Sequence, residues 1–177
     1  MKNSNFIIAC LAMGAIILAS NILVEIPVND WLTWGALSFP LCFLVTDTVN
    51  RFYGASSARK VVSVGFVFGV VLSLIFADLR IAIASGTSFF IAQMLDVTVF
   101  DKLRRGLWWK APVVSSAISS TLDTALFFSI AFAGTGLPWV TWGIGDLATK
   151  YFMVVALIPV YRMVQLTFVQ VFKLKEV

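Results

Sequence analysis

Residues 81–100 read IAIASGTSFFIAQMLDVTVF, an apolar stretch that carries one acid, Asp96. A helix needs about 20 mostly apolar residues to cross ~30 Å of hydrocarbon, and this stretch has that length. Five further stretches of this kind lie at residues 6–26, 33–52, 61–77, 111–133 and 145–168. Together they predict an all-α polytopic membrane protein, a bundle of six transmembrane helices.

The composition agrees with a membrane bundle. Of the 177 residues, 60% are hydrophobic and 12% are charged, with a mean hydropathy of +0.95, whereas about a quarter of the residues in soluble domains are charged. The six segments use most of the chain, so we expect residues 1–177 to form a single domain. We also expect the first segment to be a retained helix, because residues 25–27 do not resemble a signal-peptide cleavage site.

The basic residues alternate between the connections. They occur at both ends of the chain and after the second and fourth segments, and the connections after the first and fifth segments contain none. Cytoplasmic loops carry the excess of lysine and arginine, so both termini are predicted to be cytoplasmic. The net charge of +4 follows this topology and gives no reason to expect a nucleic-acid partner. The residues that fix the orientation are Lys2, Arg51, Arg59, Lys60, Lys102, Arg104, Arg105, Lys110, Lys173 and Lys175.

Five of the six segments contain an acid at membrane depth: Glu25, Asp47, Asp96, Asp123 and Asp146. A carboxylate at the centre of a membrane helix costs roughly 2.5–3.5 kcal/mol, so such residues usually mark a solute or ion pathway. Polar residues lie one turn from several of these acids and therefore share their helix faces. We expect these faces to point away from lipid and to line a route across the membrane; the polar neighbours are Asn50, Ser85, Gln93, Ser116, Ser119 and Ser120.

Structural roles compete with this interpretation at several positions. Asp47 with Arg51, and Asp146 with Lys150, are four residues apart and can simply neutralise each other. Glu25 lies near the membrane boundary and is expected to be hydrated.

Other charged residues can likewise have a structural role or a role in solute binding. Asp101 lies among cytoplasmic basic residues and is expected to be a solvated end residue, and Arg80, close to Asp78, can either extend to water or bind a solute. Asp96 and Asp123 have no basic residue one turn away. For these two acids we favour a role in solute binding.

Carboxylates favour a particular class of solute. A carboxylate accepts two parallel hydrogen bonds from a planar fork of N–H groups, which a guanine-like edge provides, and it also binds a protonated amine. Flat apolar side chains would hold such a ring, and the candidates are Phe39, Phe43, Phe89 and Trp142. The chain has no histidine, no CxxC motif and no phosphate-binding loop, so we expect no metal and no cofactor.

Four motifs, in this order, resemble the queuosine precursor transporter family, also called the vitamin uptake transporter family. They are FPLCFLVTDTVNRFYG (39–54), DLRIAIASGTSFFIAQMLDVTVFDKLRR (78–105), SSAISSTLDTALFFSIAF (115–132) and GDLATK (145–150). The resemblance implies six helices in the bacterial inner membrane and uptake of 7-deazaguanine precursors of queuosine such as preQ0, preQ1 or queuine-like bases. The positions that match the family motifs are Thr46, Asp47, Asn50, Arg80, Ser85, Gln93, Asp96, Ser119, Asp123, Asp146 and Lys150.

The resulting hypothesis is a transporter that holds a deazapurine on intramembrane carboxylates and acts alone or as a homodimer. One alternative is the substrate-binding subunit of an energy-coupled vitamin importer, docked through the small residues Ala15 and Ala19, although we expect these to pack inside the bundle. The spacing of Gly65 and Gly69 likewise predicts a helix packing contact.

A second alternative is an intramembrane aspartyl protease, because residues 143–146 spell GxGD. Asp123 would then be the second catalytic acid. We expect Asp146 near the outer surface and Asp123 at mid-membrane, which argues against a catalytic pair and against an enzyme.

Overall fold

The computed structural model of the chain describes residues 1–23, 26–29, 32–76 and 79–173. The predictions for Glu25, Asp78 and Lys175 lie outside these residues. Most of the described chain is helical, and a short antiparallel pair, β1 (Pro27–Asn29) with β2 (Leu32–Thr33), follows the first helix. The helices are α1 (Asn3–Leu23), α2 (Trp34–Ser38), α3 (Leu41–Tyr53), α4 (Ala55–Phe76), α5 (Leu79–Leu103), α6 (Lys110–Phe132), α7 (Trp139–Ala156) and α8 (Ile158–Lys173).

The predicted fold class is confirmed. Each predicted segment corresponds to one helix, except that α2 with α3, and α7 with α8, divide the second and sixth segments. Within the described residues, four stretches are long and apolar enough to cross a membrane: Asn3–Ser20, Leu79–Leu103, Lys110–Phe132 and Trp139–Gln170. The cytoplasmic orientation of both termini and the single-domain organisation stay predictions.

The second segment is interrupted, so the expectation of one continuous helix over residues 33–52 was wrong. Pro40 precedes α3 and has no N–H to continue the hydrogen-bond ladder of α2. At the other end of α3, Gly54 adopts φ 82°, and its N–H donates to the Asn50 carbonyl at 3.0 Å. This left-handed conformation suits glycine and ends the helix. The break makes α3 a short helix with Asp47 at its centre.

The sixth segment begins earlier than predicted. Helix α7 starts at Trp139 rather than at Gly145, and it ends where Leu157 separates it from α8. Pro159 explains the interruption, because a proline within a helix removes one hydrogen bond to the preceding turn. The earlier start places Asp146 about two turns inside α7 rather than at its beginning.

Polar side chains are buried and large apolar side chains are exposed, as expected of a bundle whose solvent is lipid. The exposed residues include Leu11, Phe152 and Met163, which are 65%, 68% and 67% exposed. The apolar core lies where α1, α3, α4 and α5 meet, and α5 and α6 make the most extensive helix contact. The buried polar residues are Ser20, Thr46, Asp47, Asn50, Ser88, Gln93, Asp96, Ser115, Ser116, Ser119, Ser120, Asp123, Thr124, Lys150 and Gln165.

Helices α1 and α4 pack through glycines, as predicted. A Cβ atom at Gly65 would lie 2.6 Å from the Met13 side chain, so only glycine allows this approach, and one at Gly69 would lie 3.4 Å from Ile17. The expectation that Ala15 and Ala19 pack inside the bundle was wrong, because both are exposed. Met13 and Ile17 occupy the inward face of α1, and the two alanines therefore point away from the bundle.

Candidate functional site

Two groups of buried polar side chains lie along α6. The first, which we call the acid-pair centre, contains Asp47, Asn50, Gln93 and Asp96 next to Ser115 and Ser116. The second, the lysine centre, contains Asp123, Thr124, Asp146 and Lys150. Ser116 and Asp123 are about two turns apart on α6, or roughly 10 Å. Ser119 and Ser120 are buried between them, and their hydroxyls have no hydrogen-bond partner among the described residues.

The acid-pair centre is held by two hydrogen bonds between α3 and α5. Thr46 Oγ1 donates to Gln93 Oε1 at 2.7 Å, and Asn50 Nδ2 donates to the Val97 carbonyl at 2.9 Å. Each bond uses one end of an amide, and the other ends, Gln93 Nε2 and Asn50 Oδ1, have no partner among the residues that the structure describes. Buried polar atoms normally have hydrogen-bond partners, so these two atoms indicate a binding site for a ligand.

The two acids of this centre face each other. Asp47 and Asp96 are 2% and 0% exposed. Their carboxyl groups are close enough to form a hydrogen bond with each other when one of them carries a proton. Within the part of the chain that the structure describes, no donor with hydrogen-bond geometry reaches either oxygen of Asp96 or Oδ1 of Asp47, although the hydroxyls of Ser115 and Ser116 are close by. Among the described residues, no lysine or arginine forms a salt bridge with either acid.

Asp47 and Arg51 do not form the direct pair that their spacing allows. The Arg51 guanidinium instead donates to the Tyr161 hydroxyl at 3.2 Å, to the Trp108 carbonyl at 3.2 Å and to the Arg104 carbonyl. Its charge still acts on Asp47 electrostatically. Arg51 thus joins the end of α3 to α8 and to the connection between α5 and α6.

The lysine centre has the opposite character, because its cation is fully paired. Lys150 Nζ lies 2.8 Å from Asp123 Oδ2, 2.6 Å from Asp146 Oδ2 and 3.0 Å from Thr124 Oγ1. An ammonium group has three donors, and here each one has an acceptor. The i,i+4 pair of Asp146 with Lys150 is therefore present, and Asp123 joins it from α6. Asp123 Oδ1 has no hydrogen-bond partner in the described part of the chain.

The expected difference in depth between Asp123 and Asp146 was wrong, because both acids bind the same ammonium group. The earlier start of α7 explains why Asp146 reaches this depth. The arrangement does not resemble a protease dyad, in which two acids share one proton without a cation between them. Gly143 of the GxGD sequence has a packing role, since a Cβ atom there would lie 3.5 Å from Phe128.

The aromatic candidates are distributed around both centres. The Phe39 ring lies 5.6 Å from Lys150 Nζ and meets the Phe89 ring edge to face at 6.0 Å. Phe43 is buried and lines a cavity with Asp47, whereas Trp142 contacts Phe132. That cavity has about 20 Å³ open to the centre of a water molecule, and one beside Phe39 and Phe89 has about 10 Å³. The larger of the two has room for about one water molecule.

Arg80 and Asp101 lie away from both centres. Arg80 donates to the carbonyls of Ile130 and Ala133 at the end of α6, at 2.8 and 2.6 Å. These carbonyls have no partner within the helix, so a cation there stabilises its end. Asp101 pairs with Arg104 at 3.1 Å with a side chain 41% exposed, as expected of a solvated end residue.

Sequence reasoning missed the partners that come from other helices. Thr124 holds the lysine centre, and nothing in its spacing marks it for this role, whereas Thr46 was among the positions that match the family motifs. No basic residue lies one turn from Asp123 on α6, so this helix gave no sign of the lysine that α7 contributes. Lys150 itself was a signal, since a lysine in an apolar segment requires a buried acid as its partner.

Comparison with known proteins places the chain among transporters. The profile of a family described as “Putative vitamin uptake transporter” matches residues 33–79 and 73–164. A Haemophilus influenzae protein named “Probable queuosine precursor transporter” is 35% identical over 84% of the chain and 81% of its own length.

Two other bacterial relatives match shorter parts of the chain. The “Queuosine precursor transporter” of Escherichia coli is 36% identical over 66% of the chain and 64% of its own length. A Bacillus subtilis “Probable queuosine precursor transporter” is 31% identical over 58% of the chain and 57% of its own length. The chain thus spans less than two thirds of these two relatives. No solved structure matches the chain.

Proposed function

Because the chain belongs to the vitamin uptake transporter family, we propose that it imports 7-deazaguanine precursors of queuosine across the bacterial inner membrane. The relatives bear that solute class in their names. These solutes have a guanine-like edge, in which a ring N–H and an exocyclic amine lie beside a carbonyl oxygen. A binding site for that edge needs two acceptors next to one donor.

The acid-pair centre supplies this pattern, and this observation carries the proposal. Asp96 and Gln93 are three residues apart on α5 and share one face. Both Asp96 oxygens and Gln93 Nε2 are buried and have no hydrogen-bond partner in the described ranges of the chain. The carboxylate accepts the two N–H groups, and the amide nitrogen donates to the carbonyl oxygen of the base. Charge-assisted bonds of this kind are stronger than neutral ones.

The remaining candidates extend this site along the route. Asn50 Oδ1, Ser119 Oγ and Asp123 Oδ1 also lack partners within the described chain, and they continue the polar surface from the acid-pair centre to the lysine centre. Phe43 and Phe89 provide flat apolar surfaces for the ring. The two described cavities are water-sized, so the base enters when the helices separate and access alternates between the two sides.

Uptake in cells tests the site. In a bacterium that lacks both precursor synthesis and its own importer, queuosine in tRNA depends on external precursor. Asp96→Asn replaces one acceptor oxygen by a donor, and we expect it to reduce uptake at least a hundredfold. The matched control is Asp101→Asn, an acid at the exposed end of the same helix, which keeps uptake. Normal uptake by Asp96→Asn at normal membrane levels would refute the proposed site.

Binding to the purified chain tests the solute class. A deazaguanine binds, and the analogue without the exocyclic amine binds about 10–100-fold more weakly, because one hydrogen bond to a charged group contributes about 1.5–3 kcal/mol. An unrelated vitamin serves as the negative control. Uptake by the single chain in liposomes supports a complete transporter. Uptake that requires an added partner protein would support the importer-subunit alternative instead.

A further inference from the structure

No lysine or arginine of the described ranges forms a direct ion pair with the two acids of the acid-pair centre. Asp47 on α3 and Asp96 on α5 are in contact and buried. The charged groups that act on Asp47 are Asp96 and Arg51, and the donors of Arg51 are directed to Tyr161 and to backbone carbonyls. The other titratable neighbour is the Tyr161 hydroxyl on α8. From α6 the pair meets the neutral hydroxyls of Ser115 and Ser116.

Two adjacent carboxylates in a poorly hydrated interior repel each other strongly. One proton changes the repulsion into an O–H···O⁻ hydrogen bond between them. A single shared proton also agrees with the lack of any other donor in hydrogen-bond geometry at the Asp96 oxygens within the described residues. In the lysine centre the Lys150 ammonium group binds both acids and reduces the repulsion between them.

We propose that Asp47 and Asp96 bind one transported proton, so that each molecule of base is imported together with one H⁺. This proposal rests on the proposed function, because it assigns the driving force to the same site. When the base occupies Asp96, that carboxyl must be ionised to accept its two N–H groups. The proton is then on Asp47, and the loaded centre carries one negative charge rather than two.

The surroundings of Asp47 provide a way for the proton to leave. Asp47, Ser116 and Tyr161 line the cavity of about 20 Å³, which has room for a water that can accept the proton. Arg51, one turn further along α3, stabilises the ionised form of Asp47 after the base has departed. The proton thus enters with the base from one side and leaves through this cavity on the other, and one positive charge crosses per neutral base.

Proteoliposomes that contain the purified chain test the coupling. Labelled base should accumulate inside when the external pH is below the internal pH, or when the internal potential is negative. A protonophore should abolish this accumulation, while exchange of labelled for unlabelled base continues. A potential of about 100 mV sustains about fiftyfold accumulation of a neutral base that moves with one H⁺. The initial uptake rate should rise as the external pH falls.

Proton movement per base is the decisive measurement. A pH-sensitive dye should report about one H⁺ per base for the unmodified chain and for Asp101→Asn, and a ratio near zero for any uptake that Asp47→Asn retains. Net uptake of base without proton movement, or accumulation that requires Na⁺ instead, would overturn the coupling and leave the transport function standing. Absence of uptake and exchange in the unmodified chain would overturn the proposed function itself.

Discussion

Removing the ammonium group of Lys150 should destabilise the bundle strongly. This group binds Asp123, Asp146 and Thr124 at 2.6–3.0 Å, and the lysine and Asp123 side chains are 5% and 4% exposed. Lys150→Met fills a similar volume and leaves two acids without a cation. Breaking a buried pair in this way costs about 3–5 kcal/mol. At about 2–4 °C per kcal/mol for a chain of this size, the midpoint of thermal unfolding should fall by about 6–20 °C.

Thermal unfolding in detergent, followed by tryptophan fluorescence, measures this effect. The double variant Lys150→Met with Asp123→Asn removes one of the stranded charges, so we expect it to be more stable than Lys150→Met alone. The exposed Lys60 is the matched control, and Lys60→Met should change the free energy of unfolding by less than about 0.5 kcal/mol. A loss below about 1 kcal/mol in Lys150→Met, with no recovery in the double variant, would refute the buried ion-pair reasoning.

Two further predictions concern helix contacts outside the two centres. Gly65→Ala should lower the free energy of unfolding by about 1–3 kcal/mol because its Cβ would lie 2.6 Å from Met13. Gly69→Ala should lower it by less, because its Cβ would lie 3.4 Å from the nearest neighbour. Equal stabilities of the two variants in a thermal unfolding series would contradict this packing. Arg51→Ala removes the donors to the Tyr161 hydroxyl and to two carbonyls, at about 1.5–3 kcal/mol for each charged bond. Limited proteolysis of the membrane-embedded chain should then cut the connection between α5 and α6 faster than in Tyr161→Phe, and equal rates would argue against this role of Arg51.

The sequence alone determined the fold class and the choice of acids. Apolar length identifies the membrane segments, because the hydrocarbon thickness sets how many residues a spanning helix needs. It also identifies Asp47, Asp96, Asp123 and Asp146, because charged residues at membrane depth are costly and therefore stand out. The periodicity of α6 placed its serines and Asp123 on one face, and these residues are buried as the spacing implied.

The tertiary structure decided which acid meets which partner. Spacing along one helix identifies neighbours on that helix alone. It therefore predicted Arg51 as a possible partner of Asp47 and no cation for Asp123. Packing of α3 against α5 instead places Asp47 beside Asp96, and packing of α6 against α7 places Lys150 on Asp123. Local features determine where these residues lie. Pro40 interrupts the second segment, and because α7 starts at Trp139, Asp146 lies about two turns inside that helix. Contacts between residues far apart in sequence depend on how helices pack, which the periodicity of a single helix does not contain.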